Sequence, residues 1–305
     1  MNKIQDHPAL PPGEADPDWV VIHNPTAGWR RARRVARVVA ALTAAGRPST
    51  VLRTGRRGDA ESFAAGAARG RAAAVIVAGG DGTINEALNG MAGAPLGLGL
   101  IPVGTANVLA HELGIGASLD RAACALVGGR SRTIRLGRVD GRYFAMMAGV
   151  GFDAAVVAGI DPAIKRRFGK GAYALSGLRV FWNWRRRRYR VTVDGAAHEA
   201  ASAVCCNGRF YGGRFVLAEE ASLDDDCLHV VLFERGGRWA ILRYLVAMTL
   251  GLVPRLPDVR VVPGRVVTIE AVDGASEPVQ ADGDIIARLP VRVTMAAEET
   301  RVFVP

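Results

Sequence analysis

Three polar turns hold the residues whose types and spacing suit chemistry. In "AAVIVAGGDGTINEALNGMAG" (residues 73–93) an apolar run stops at Gly79-Gly80-Asp81-Gly82-Thr83, and a helix pattern follows at once. Glycines at a strand's carboxyl end permit positive φ and let a ligand approach bare backbone. Thr83 with Glu86 three residues on reads as a capping box, which starts the helix at Thr83. Free N–H groups and the positive helix end then suit an anion. Asp81 would repel a bound phosphate unless a cation stood between them, and Mg2+, held partly through water, is the natural one. The chemistry is that of a phosphate cradle with a magnesium-organising acid. A plain packing turn fits the same residues, and this turn alone does not decide. The second turn, "IPVGTANVLAHEL", ends a strand at Gly104 and predicts a helix starting at Thr105. Asn24-Pro25 adds a third polar turn.

The elements around these turns alternate. "DWVVIHNP", "STVLRT", "AAAVIVAGG" and "LGLGLIPVG" read as strands, and helical patterns lie between them. Such interleaving implies a parallel α/β sheet, with the turns along one edge, where ligands of α/β folds bind. After about Thr133 the pattern changes to paired strands, beginning with a hairpin signal at Asp140-Gly141. One helical region is predicted over 162–184 and another over 238–250, among strand patterns that are mostly antiparallel. The predicted organisation is an α/β domain over 17–133 and a β-rich domain over 134–292. Residues 293–305 are a tail able to return to the first domain.

The 305 residues are half apolar, enough for a substantial core. No uncharged apolar run is long enough for a membrane span; the best candidate, 240–253, carries Arg243. The first 19 residues lack a secretory pattern and read as a disordered leader, so a cytoplasmic protein is expected. Cys124, Cys205, Cys206 and Cys227 form no C-x-x-C pair and are expected as reduced thiols. The net charge of +10 is carried by arginine, with only three lysines. That suits phosphate and anionic surfaces and does not choose among them.

Taken in order, Asn24-Pro25-Thr26-Ala27-Gly28, Gly79–Thr83 with Asn85-Glu86, Pro102-x-Gly104-Thr105-x-Asn107 and "GVGFDA" (149–154) resemble the soluble diacylglycerol kinase family. That family includes sphingosine, ceramide and bacterial lipid kinases, and the resemblance spans nearly the whole chain. The glycine–aspartate turn alone is shared with NAD kinases and phosphofructokinases; the "PVGTAN" continuation is the more specific part. The resemblance implies an ATP-binding N-terminal domain, a C-terminal β-sandwich domain, and lipid taken from the membrane surface into the cleft. It implies nucleotide contacts from Gly79–Thr83, Thr54 and Thr105, with Asn24, Glu86 and Asn107 in the same motifs. In the family's "Q-x-D-G-E" motif the glutamate is the proton acceptor; here Gln280-Ala281-Asp282-Gly283-Asp284 puts the shorter Asp284 in that place. Two acids of the family's aspartate–water–magnesium network are replaced by Val108 and Arg135, leaving Asp81. "ASLDDDCLHV" resembles the structural magnesium loop, with Asp225 and the carbonyls of Ser222 and Cys227 as ligands.

The expectation is therefore transfer of the γ-phosphate of Mg-ATP to a lipid hydroxyl. The alternatives are an NAD kinase-like enzyme and a homologue that binds nucleotide or lipid with weakened catalysis. No nucleic-acid module is recognisable. The histidines lack ligand spacing, so zinc is not expected. "RFGKGA" is not a P-loop, and "GVGFDA" reads as a tight strand–helix turn rather than a dinucleotide fingerprint. "RVFWNWRRRRYR" (179–190) reads either as a membrane-facing patch of aromatics and arginines or as a helix end and solvated strand start. "RRARR" (30–34) reads as exposed first turns of a helix. The sequence is compatible with a homodimer.

Overall fold

The computed structural model describes residues 19–25, 29–70, 72–160, 170–184 and 187–305. The expected leader up to residue 18, Thr26–Gly28 after the Asn24-Pro25 turn, Arg185, Arg186 and the first half of "RFGKGA" lie outside them.

Four parallel strands begin the chain: β1 (Trp19–His23), β2 (Ser49–Arg53), β3 (Ala74–Gly79) and β4 (Gly97–Pro102), in spatial order β2-β1-β3-β4. All residues of β1, β3 and β4 are buried. That explains their unbroken apolar runs, because a parallel sheet is covered on both faces. Val20, Ile22, Val75, Val77, Leu98 and Leu100 form one face. They pack against α2 (Asp59–Arg69) and α3 (Asp81–Met91). Val21, Ile76, Ala78 and Ile101 form the other, under α1 (Trp29–Ala44) and α5 (Leu119–Gly128). Between β4 and α5 lies the short α4 (Val108–Glu112).

The second half is a sandwich of antiparallel ladders. β5 (Ser131–Val139) turns through Asp140-Gly141, both at positive φ, into β6 (Arg142–Phe144). β7 (Met147–Val150) feeds α6 (Phe152–Ala158) through Gly151 at φ 94°. Then come α7 (Lys170–Asn183), β8 (Tyr189–Val193), β9 (Ala196–Ala200) and β10 (Ser202–Cys206). The short hairpin β11 (Phe210–Tyr211) and β12 (Phe215–Val216) precedes β13 (Leu228–Phe233) and α8 (Arg238–Thr249). β14 (Val259–Gly264) and β15 (Val266–Ala271) read as one strand in sequence, but the chain changes sheets at Arg265. β16 (Pro278–Ala281), β17 (Asp284–Arg288) and β18 (Val291–Phe303) complete the chain.

One sheet, β14-β13-β10-β7-β16-β17, packs over the other through Phe144, Tyr189, Val191, Val230, Val267 and their neighbours. The other sheet is shared with the N-terminal half. β18 pairs antiparallel with β15 at Val291–Thr294 and parallel with β4 at Arg301–Val302, and β5 runs along its length. A single ten-stranded sheet thus passes through both halves. No helix among the described residues is long and apolar enough to cross a membrane. All four cysteines are free, and burial pushes the Cys205 thiol up to about 12.

Candidate active site

The carboxyl ends of β1, β3 and β4 bring the three turns together. The Asn24 N–H donates to Ala78 O at 3.0 Å, and its side-chain amide donates to Thr83 Oγ1 at 3.0 Å. The Thr54 N–H reaches His23 O at 3.0 Å, and its side chain is buried.

The first and second turns touch backbone to backbone. A Cβ on Gly104 would lie 2.4 Å from Gly80 Cα, and one on Gly79 would lie 2.6 Å from Thr83 Cβ. Packing therefore requires these glycines, whether or not a ligand is present. Gly82 differs: a Cβ there would meet only Asp284 Oδ2, at 3.5 Å, in the gap between helix and carboxylate.

Two helix starts differ from expectation. α3 begins at Asp81 with Gly80 as its N-cap, so Thr83 sits inside the first turn rather than at its start. Its hydroxyl is turned to Asn24, and no capping box forms with Glu86. The reason is the Gly79–Thr83 contact, which needs Thr83 over the end of β3. Glu86 instead lies in the field of Arg142, which grips Glu61 with two bonds of 2.8 Å. The other helix begins at Val108, not Thr105. Thr105 is exposed in the bend, and Asn107 occupies the left-handed region at φ 49° as N-cap.

Asp81 supplies the cap that Asn107 does not. Its carboxylate accepts from the Asn107 N–H at 2.9 Å and the Val108 N–H at 2.6 Å. Burial pushes this carboxyl above its usual range, opposed by those amides. The side chain locks the first turn to the second. The Asn107 side-chain amide donates to Gly104 O at 3.1 Å, while its Oδ1 is buried without a partner. The start of α3 still reaches solvent, since Gly80, Asp81 and Gly82 are only half-buried. Its first N–H groups have no partner inside the helix, and the Gly80 cap brings no side chain to them.

Asp284 stands across from that helix end, on the first residue of β17. Its Oδ2 is 3.4 Å from Arg57 Nη2, and the carboxylate is about one-third exposed (31%). It is placed there by Asp282, whose importance the sequence reading missed. Asp282 and Gly283 form a two-residue turn at φ 47° and 85° between β16 and β17. The Asp282 carboxylate accepts from the N–H groups of Ala145 (2.7 Å), Met146 (3.0 Å) and Met147 (3.1 Å). It also accepts from the Asn85 side chain at 3.0 Å, which ties the turn to α3. Burial pushes the Asp282 carboxyl up, against the pull of these donors. Gln280 Oε1 accepts from the Gly283 N–H at 3.0 Å, and its Nε2 donates to Asp153 at 2.6 Å. Asp153, from "GVGFDA", also accepts from the Tyr211 hydroxyl. The Asp-Gly pair at 282–283 was the available signal, being the same hairpin dipeptide as at 140–141.

A family described as the diacylglycerol kinase catalytic domain matches residues 18–139. A second, described as the YegS C-terminal NAD kinase beta sandwich-like domain, matches residues 146–304. A diacylglycerol kinase of Mycobacterium tuberculosis is 30% identical over 258 residues, 81% of this chain and 82% of its own. A diacylglycerol kinase of Bacillus subtilis is 32% identical, covering 73% and 76%. A probable lipid kinase YegS-like of Pseudomonas aeruginosa is 34% identical, covering 69% and 70%. This chain belongs to the diacylglycerol kinase family. The crystal structure of a putative diacylglycerol kinase from Bacillus anthracis shares its fold, with a TM-score of 0.81 and 24% identity over 97% of this chain and 98% of that one. Membership makes the chain a phosphotransferase, and the kinase reaction draws on a nucleotide.

The positions that the resemblance ties to metal stand as follows. Arg135 pairs with Glu299 at 3.1 Å, its cross-strand neighbour on β18. Val108 is buried beneath the turn that Asp81 caps. Asp225 Oδ2 accepts from the Ser222 N–H at 2.9 Å and stands 2.9 Å from His229 Nε2. The Ser222 carbonyl accepts from the Asp225 N–H at 3.0 Å, and burial pushes the Cys227 thiol up. That loop closes on itself. Among the described residues no three His, Cys, Asp or Glu side chains gather into a cluster that could hold a metal by side chains alone.

Proposed function

We propose that the chain transfers the γ-phosphate of ATP to the hydroxyl of a diacylglycerol-like lipid. The observation that carries this is the 3.5 Å gap between Asp284 Oδ2 and the Cβ position of Gly82. It sets a carboxylate opposite the open amides at the start of α3. Polyphosphate would lie on those amides, where the helix end favours negative charge. Thr105 at the rim, with Asn24 and Thr54 beside the turn, would frame the nucleotide. Asp81 and Asn107 would act by holding the two turns in register.

The lipid hydroxyl would enter between the sandwich and α3, facing Asp284. Its proton passes to the Asp284 carboxylate as its oxygen bonds to the γ-phosphorus. The bond from γ-phosphorus to the bridging oxygen breaks, and ADP leaves. Such a step needs positioning and charge stabilisation more than covalent help from the protein. Arg57, paired with Asp284, is a cation close to the developing charge.

A magnesium ion on the bound phosphates would meet Asp81 through water, because this carboxylate already accepts from two amides. No cluster of three ligating side chains gathers among the described residues. No step here is routed through a metal. The test is incubation with γ-labelled ATP and a panel of acceptors: diacylglycerol, phosphatidylglycerol, a sphingoid base and NAD. Label in a lipid is expected. Label in NAD alone would replace the lipid reading with the NAD kinase one.

A further inference from the structure

The helix α8 is apolar on nearly every side, yet only one side is covered. Ile241, Tyr244 and Ala247 are buried at spacings of three. On the opposite side Trp239, Leu242, Leu245, Val246 and Leu250 recur at spacings of three and four, all exposed. Trp239 is 84% exposed and Leu250 64%. A helix apolar all round belongs inside a core or a lipid phase, and a stripe this large on a surface marks a contact. α7 packs beside it and adds exposed Leu178 and Trp182, the latter 61% exposed. The two helices are tied by Arg238, which donates to the Trp182 carbonyl at 2.6 Å.

The charge around this face is one-sided. Residues 235–257 contain four arginines and no acid, and residues 170–193 also contain no acid. The acids that bound the stretch are already paired, Glu234 with Arg260 at 2.9 Å, and Asp258 with Arg243, Arg235 and the Tyr244 hydroxyl at 2.6 Å. A second copy laid symmetrically on this face would set arginine against arginine. A bilayer bearing anionic headgroups offers what the face lacks: apolar depth for the leucines and negative charge for the rim. The two exposed tryptophans, Trp182 and Trp239, lie near the point where Arg238 ties the helices together, and their amphipathic rings suit the headgroup level. The face is also joined to the site, because α6 packs on β16, β17 and α7.

We infer that α8, with the exposed end of α7, is the surface by which this protein docks on an anionic bilayer. The inference rests on the lipid-kinase reading for its purpose, not for its geometry. Sedimentation with vesicles of phosphatidylglycerol and phosphatidylcholine tests it, against phosphatidylcholine alone. Wild type should sediment with the anionic vesicles and release at high salt. Val246→Glu with Leu250→Glu should bind about tenfold more weakly or worse, with an unchanged melting temperature because both side chains are exposed. Brominated lipid should quench wild-type tryptophan emission, and Trp239→Phe with Trp182→Phe should remove most of that quenching. Transfer to a short-chain, monodisperse diacylglycerol should persist in the double variant. Equal vesicle binding by the double variant, or absence of quenching in wild type, would overturn the docking surface and leave the kinase reading standing. A wild-type dimer that the substitutions split would also overturn it, making the face a subunit interface. Vesicle binding lost on substitution, with no transfer by wild type to any acceptor, would remove the kinase reading and keep the surface.

Discussion

Gly104 and Asp81 act on the same contact from opposite sides. One lets the two turns meet, and the other ties them through amides. Gly104→Ala would force its Cβ to 2.4 Å from Gly80 Cα, a clash with backbone that no rotamer relieves. The expected cost is about 1–3 kcal/mol in denaturant unfolding, together with weaker ATP binding; unchanged stability and affinity would reject the packing role. His23, at the end of β1, gives a pH signature. Burial, and then the charge of Arg53, push its imidazole below the usual range. The unfolded chain takes up a proton near pH 6.5 where the folded one does not. Stability should be flat above about pH 6.5 and fall as pH drops below it. His23→Gln should flatten that fall in melting temperatures measured against pH, and an unchanged slope would contradict the assignment. The sequence made the glycines and Asp81 conspicuous, since three glycines around an acid are rare in a strand–helix turn. It did not reveal whether each glycine serves a ligand or a neighbour, because that depends on contacts between residues 24 positions apart.

At the scale of elements, the hairpin β16–β17 carries Asp284 to α3, and Asp282 is its anchor. Asp282→Ala would leave three amides without their acceptor, and the Asn85 side chain with Tyr143 O alone of its two. The expected loss is at least about 3 kcal/mol of stability, with Asp284 displaced and transfer reduced further than stability alone explains. A wild-type melting temperature in that variant would reject the anchor. The parallel strands were legible because β1, β3 and β4 are continuous apolar runs between glycine-rich turns. The starts of α3 and α4 were not. The Thr83 hydroxyl is taken by the Asn24 side chain, and Asp81 caps the Val108 amide, both contacts between distant residues that local pattern does not contain. The break between β14 and β15 was hidden for a similar reason: both halves alternate alike, and only the change of sheet separates them. The exposed stripe of α8 was written in the sequence as an apolar helix, but its uncovered side shows only once its neighbours are placed.

The whole molecule is organised by two strands, β5 and β18, that belong to both halves. A core that includes Val77 and Leu100 continues through Met146 and Val204 to Tyr244. With sheet and core shared, heat should unfold the chain in one cooperative transition. Two well-separated calorimetric transitions would contradict that. The same continuity holds Asp284, from the sandwich, against a helix of the nucleotide half. The central claim is that this carboxylate takes the proton of a lipid hydroxyl attacking ATP bound at α3. The most direct measurement is single-turnover transfer from γ-labelled ATP to diacylglycerol by wild type and Asp284→Asn, with ATP affinity measured in parallel. The account predicts a rate lower by about 10²–10⁴-fold in the variant, with ATP bound as tightly as before. Transfer at the wild-type rate by Asp284→Asn would contradict it.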